Sequence, residues 1–377
     1  PAESFPLQYQ LGSELSSHQL QVTRAFDRWS RTGTSAVGFE RSATTTVKPG
    51  RDGVNSVSSV DQLFERSGMI AFTTAWFDGS GRIQEADIQI DPSALDAPTL
   101  EAIVEHEVGH LLGLDHSGVL SAIMYPFVSP GRGVTLDSDD IVGIRGIYPD
   151  GKATTVSTIR GTVRSDSGPL FAAHVVLVDG DGRPVAGTLT DEGGSFSIQG
   201  LGPGNYDIYV EPLDGPVDPR NFSGVWTSAQ SRVFPTEFVS AHRKVEVSAE
   251  STDIAIQVPE GAVSLNPLWI GAFDPDGSEI SLDSTVTVVR PGQRLAIAVG
   301  GDGFVGGMTK IEIPNAAIRR VSEFRYGSNF VWAVYEIGQE ATEGSLIVFV
   351  ESGTERATLT GGLLVIRSEG RPRTSRR

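Results

Sequence analysis

Three histidines, a glutamate and a glycine between residues 106 and 116 are the part of this 377-residue chain best suited to chemistry. They read His106-Glu107-Val108-Gly109-His110-Leu111-Leu112-Gly113-Leu114-Asp115-His116, with Met124 close behind. Three neutral imidazoles with one coordination position left open make a catalytic rather than a structural zinc site. On a helix His106 and His110 stand one turn apart on one face, so both can reach one ion. Gly113 can leave that helix with positive φ, which turns the chain back and lets His116 reach the same ion. Glu107, beside the first ligand, is placed to take a proton from an activated water and pass it to a leaving amine. The metal supplies most of the oxyanion stabilisation, so no serine or cysteine nucleophile is needed. The chemistry this set supports is peptide-bond hydrolysis without a covalent intermediate.

The helix that must carry these ligands is legible around them. Asp96 or Thr99 can cap it, Pro98 suits its first turn, and Glu101 lies where the helix dipole favours an anion. Leu100, Val104, Val108, Leu111 and Leu112 fall on one flank, with His106 and His110 nearly opposite. Upstream, Phe5 to Leu11 reads as a strand and Ser17 to Arg31 as a helix with Leu20, Val22, Ala25, Phe26 and Trp29 inward. Residues 36–41 and 69–77 read as strands, 84–90 as an edge strand, and 138–147 as a closing helix.

The run His106 to Pro126, HEVGHLLGLDHSGVLSAIMYP, resembles the signature of the matrixins, the matrix-metalloproteinase-like group of the metzincin peptidases. Ala86-Asp87-Ile88-Gln89-Ile90 resembles the strand at the upper edge of the matrixin cleft. Residues 25–29 and 139–148 resemble the family's first and last helices. The resemblance covers residues 1–150. It implies Zn²⁺, one catalytic ion, held by His106, His110 and His116, with Glu107 as general base and Met124 as an apolar floor. It also implies that Ile88, Gln89 and Ile90 pair with an extended substrate and that Tyr125, Pro126 and Phe127 wall the pocket after the cut. Matrixins use Pro-x-Tyr there; this chain has Pro126-Phe127-Val128, which leaves an apolar pocket without the tyrosine. The family's second, structural zinc needs three histidines ahead of the catalytic helix, and only His18 is available.

Beyond residue 150 the pattern changes. Residues 151–158 read as a linker, and period-2 strands between Gly, Pro and Asp turns follow. Residues 159–260 resemble the carboxypeptidase regulatory-like (transthyretin-like) module, in motifs such as Thr190-Asp191-Glu192-Gly193-Gly194-Ser195-Phe196. Residues 261–367 read as an immunoglobulin-like sandwich, and 368–377 as a disordered basic tail. His174 and His242 read as surface residues. Turns such as Asp179-Gly180-Asp181-Gly182 and Asp274-Pro275-Asp276-Gly277 could offer oxygens to Ca²⁺, or simply connect hairpins, since none matches the twelve-residue calcium loop.

Composition bounds the rest. Zero Cys excludes disulfides, thiolate sites and a cysteine latency device within the chain. A net charge of −17 argues against nucleic acid, and no apolar run is long enough to span a membrane. The fold class expected is multidomain: an α/β metzincin catalytic domain (twisted mixed sheet with an active-site helix) plus two β-sandwich domains. The function expected is a secreted zinc endopeptidase acting on protein or peptide substrates. Its β modules would bind a surface or another protein, a bacterial cell surface being one setting. The rival is an extracellular adhesion or scaffold protein whose metalloprotease-like domain is inactive, which predicts a broken ligand set or a lost glutamate.

Overall fold

The computed structural model describes residues 5–60, 69–128, 132–151, 156–213, 217, 221–222, 240–259, 261, 264–275, 279–283 and 286–367. The basic tail and residues 152–155 of the expected linker lie outside these. The first domain is a five-stranded mixed sheet with helices packed on it. Its strands are β1 (Leu7–Gly12), β2 (Phe39–Thr45), β3 (Asn55–Ser59), β4 (Ala71–Phe77) and β5 (Ile83–Ile90), in the order β2-β1-β3-β5-β4. All neighbours run parallel except β4, which is antiparallel to β5 and forms the edge. Helices α1 (Gln19–Ser30) and α2 (Leu100–Leu111) bury Phe26, Trp29, Val104 and Val108 with Leu11, Val57, Ile88 and Ile90 of the sheet. The stacked Tyr9 and Phe26 rings, 4.0 Å apart, join sheet to helix. Leu20, expected inward, is exposed.

Two readings of this domain change. Residues 86–90 do not form an edge: β5 is hydrogen-bonded to β3 on one side and β4 on the other. Its polar alternation, which reads as a solvent face, is buried and satisfied. Asp87 accepts from the backbone and hydroxyl of Ser56 and from Gly50 N, and Glu85 accepts from Asp52 N and Gly53 N. Helix α2 is also buried nearly all round rather than on one flank. Thr99 occupies its N-cap position but makes no side-chain capping bond.

The second module comprises β6 (Ser157–Ser165), β7 (Gly168–Pro169), β8 (His174–Val178), β9 (Pro184–Leu189), β10 (Ser195–Leu201), β11 (Gly204–Glu211), β12 (Ala241–Val247) and β13 (Ser251–Gln257). The sheets β10-β6-β13, with β7 on β6, and β12-β11-β8-β9 share one apolar core. In the third module strands Asn266–Phe273, Arg294–Asp302 and Phe330–Ile337 pair within one sheet, and Gly344–Ser352 with Glu355–Val365 in another. These two sheets also share a core.

The modules interlock. Strands His174–Val178 and Leu346–Val350 are buried at every residue, although a strand with one wet face should alternate. Val176 and Val178 pack against Ile347 and Phe349 across the junction, so each strand has one face in its own core and the other in its neighbour. Helix α3 (Ser138–Ile147) does likewise, with Ile144 in the first core and Val142 in the second. A capping box between Asp137 and Asp140 starts it.

Candidate metal centre and active site

Helix α2 puts His106 and His110 on one face with their Nε2 atoms 3.1 Å apart. Gly113, at φ +94°, ends the helix, and the returning chain brings His116 Nε2 to 3.2 Å from each. Those separations are close to the edge of roughly 3.3 Å expected for a tetrahedron with metal–nitrogen bonds of about 2.0–2.1 Å. The outer nitrogens determine the protonation. His106 Nδ1 faces Ile123 O at 2.7 Å, His110 Nδ1 faces Leu114 O at 2.9 Å, and His116 Nδ1 faces Asn221 O. A carbonyl only accepts, so each Nδ1 carries the proton and each Nε2 lone pair points inward. Burial holds all three pKa values below the ordinary range; neighbouring imidazoles add to this at His106 and at His110, which lies at about 4, whereas at His116 the Asn221 carbonyl and the Asp115 carboxylate pull the other way. Three neutral donors, His106 buried and His110 and His116 partly so, with lone pairs converging on one point, fit a divalent cation that takes nitrogen ligands.

Glu107 is buried beside the triad, and burial pushes its carboxyl up to about 7. The Thr73 hydroxyl, 2.6 Å from Oε2, pulls it back down. The same hydroxyl lies 3.0 Å from Glu107 O. Thr73 therefore ties edge strand β4 to Glu107. Nothing in the sequence marked it, because a threonine in a strand is ordinary.

Met124 lies under the histidines' helix. A Cβ on Gly109 would run into its sulfur and sit 3.1 Å from Trp29, so any side chain there would have to displace the buried Met124. Asp140 holds the turn: its oxygens accept from Ile123 N at 2.8 Å and Met124 N at 3.1 Å. Burial lifts Asp140 to about 6, against the pull of the buried Arg132 guanidinium. Arg132 in turn donates to the carbonyls of Ser121 and Thr135. Asp115 accepts from His116 N and serves the turn rather than the ion.

The expected substrate residues are not brought together. Ile88 and Ile90 are fully buried and Gln89 nearly so, within the sheet; the edge strand beside Glu107 is β4. Tyr125 is buried in the third module's apolar cluster together with Leu120, not in a pocket wall. Pro126 is half-buried and Phe127 is exposed, the Phe127 ring meeting Tyr125 edge-on with centroids 6.0 Å apart. His174 is also corrected: it is buried, with Nδ1 3.4 Å from Glu211 Oε1, because Gly118 of the ligand loop packs over its ring. His242 is exposed. The Asp179 turn is a hairpin connection between β8 and β9, and its carboxylate accepts from Asp181 N and Arg183 N. Asp276 and Gly277 lie outside the described residues.

Comparison with known proteins agrees with this geometry. Residues 7–149 match the family model described as Matrixin, so this part of the chain is a matrixin domain. Residues 158–215 match the carboxypeptidase regulatory-like domain, which follows it directly. Metalloendoproteinase 2-MMP of Arabidopsis thaliana is 37% identical over 105 residues, 27% of each chain. Metalloendoproteinase 1 of Glycine max is 49% identical over 69 residues, 18% of this chain and 22% of that one. The hatching enzyme of Paracentrotus lividus is 31% identical over 167 residues, 42% of this chain and 28% of that one. The matches thus span about a quarter of these relatives' length. Among solved structures, the pilin subunit BcpA of Bacillus cereus aligns at a TM-score of only 0.20 with 11% identity, over 56% of this chain and 69% of that one.

Proposed function

We propose that the chain is a zinc-dependent endopeptidase that cleaves extended protein segments outside the cell. The observation that carries this reading is the triad itself: three inward Nε2 lone pairs, each outer nitrogen donating to a carbonyl, with a buried carboxyl beside them. His106, His110 and His116 would hold the ion. Zn²⁺ bound there supplies Lewis acidity toward the scissile carbonyl and toward water. Glu107 takes the proton that the attacking water loses as its oxygen bonds to the carbonyl carbon. It returns that proton to the amide nitrogen as the C–N bond breaks, so the carboxylate is regenerated. With Oε2 held by Thr73, Oε1 is the oxygen that carries the proton.

The substrate binds as an added strand on the outer edge of β4, where backbone groups give affinity and side-chain pockets give preference. Among the described residues no helix is long and apolar enough to cross a membrane.

Metal analysis joined to cleavage of casein tests the proposal. One zinc per chain is expected, with cleavage lost to a chelator and restored by zinc. Glu107→Ala should keep the zinc and lower the rate by about 10²-fold or more. Wild-type cleavage by that variant would remove Glu107 from its role. Zinc without any cleavage would favour the scaffold reading instead.

A further inference from the structure

Each imidazole of the triad is aimed by one backbone carbonyl, and the three carbonyls come from different parts of the chain. Ile123 and Leu114 belong to the matrixin domain. Asn221 lies 105 residues beyond His116, in the segment that follows β11 of the second module. The next residue, Phe222, is 2% exposed and sits in an apolar cluster with Phe171, Ala172 and Leu213 of that module. Its ring meets the His116 imidazole edge-on, with centroids 6.2 Å apart and planes at 89°.

We propose that the second module completes the metal centre: the Asn221 carbonyl, held by the buried Phe222, sets the tautomer and orientation of His116. Asn221 is a positioning residue and acts through its backbone. The need for it follows from where the ligand sits. His106 and His110 are carried by a helix that fixes their Cα–Cβ directions, whereas His116 lies beyond the helix end on a returning loop. An imidazole there can carry its proton on either nitrogen, and only the Nδ1–H form presents Nε2 to the ion. Partners of this kind alter metal affinity by about 10–100-fold when lost.

The inference rests on the zinc reading above, so its test reads the metal directly rather than cleavage. Zinc affinity of the full chain would be measured by competition with a chromophoric chelator, for wild type, Phe222→Ala, Phe222→Leu and Phe196→Ala. Phe196 is buried in the same module's main core and controls for general loss of stability. Circular dichroism would establish that each variant is folded. Phe222→Ala should weaken zinc binding about 10-fold or more, Phe222→Leu less, and Phe196→Ala not at all. Should the alanine variant not fold, the leucine variant carries the same comparison against Phe196→Ala. Wild-type affinity in the Phe222 variants would overturn the role of Asn221 and leave the zinc site standing. Equal loss in Phe196→Ala, or faster cleavage at unchanged affinity in Phe222→Ala, would overturn it too. A wild-type chain that holds no zinc would overturn the peptidase reading, and this inference with it.

Discussion

The two halves of the histidine triad are built differently. The helical half, His106 and His110, is supported wholly within the first domain: α2 is packed by Trp29, Ile88 and Ile90, and both outer nitrogens find carbonyls nearby. The loop half, from His116 to Tyr125, leans outward. Leu120 donates its N–H to Thr360 O at 2.8 Å and buries its side chain with Tyr125 in the third module's core. Gly118 packs on His174 of the second module, and Asp139 bridges Ser117 to Gly187 N. The difference teaches that a domain recognised by its ligands need not be self-sufficient. The loop that bears His116 rests on contacts with both following modules.

Breaking the self-supported half should have the largest effect. His110→Ala removes a ligand that no other histidine among the described residues can replace. Zinc content should fall to near zero and cleavage with it, while circular dichroism stays close to wild type. Retained zinc would show that the ion sits elsewhere.

Leu120→Ala probes the outward half. Truncating a buried leucine costs about 2–5 kcal/mol, and here the loss falls on the junction between the loop and the third module. Differential scanning calorimetry should show a lowered transition, and the cleavage rate should drop while both helical histidines keep their partners. A variant as stable and active as wild type would mean that the junction carries no energy.

Asp139→Asn sharpens the comparison through pH and should give the smallest effect. Burial and the neighbouring Asp140 raise the Asp139 carboxyl to about 7, although Ser117 and Gly187 donate to it. An acid whose folded pKa is raised binds its proton more tightly folded than unfolded. The stability it contributes is therefore complete below the unfolded pKa of about 4 and is lost as pH rises towards about 7. The asparagine variant, which does not titrate, should show a flatter thermal midpoint between pH 5 and 7.5. An unchanged slope would assign that pH dependence to other groups.

The sequence was most readable where function constrains it. The i,i+4 histidines, Gly113 and Met124 each need a particular side chain or none, so their spacing alone locates the triad and its helix. It was least readable where polar residues are buried with partners. Asp87 and Gln89 alternate with Ile88 and Ile90 as an exposed strand would, yet Ser56 and Gly50 satisfy Asp87 inside the sheet. Strand β3 (Asn55–Ser59) escaped notice because Val57 is its only large apolar residue. His174 and Tyr125 were misplaced for a related reason: each is buried by a neighbouring module, and local sequence carries no record of what will dock on it. Thr73 and Asn221 act through a hydroxyl and a backbone carbonyl, groups too common to stand out.

The bond from Leu120 to Thr360 also has a consequence in time. A chain made from its N-terminus can form α2 and bring His106 and His110 together long before the strand bearing Thr360 exists. The loop bearing His116 gains its outer support only when the third module has been made and folded. Completion of the site is thereby coupled to completion of the assembly, and the nascent first domain waits on residues synthesised more than two hundred positions later.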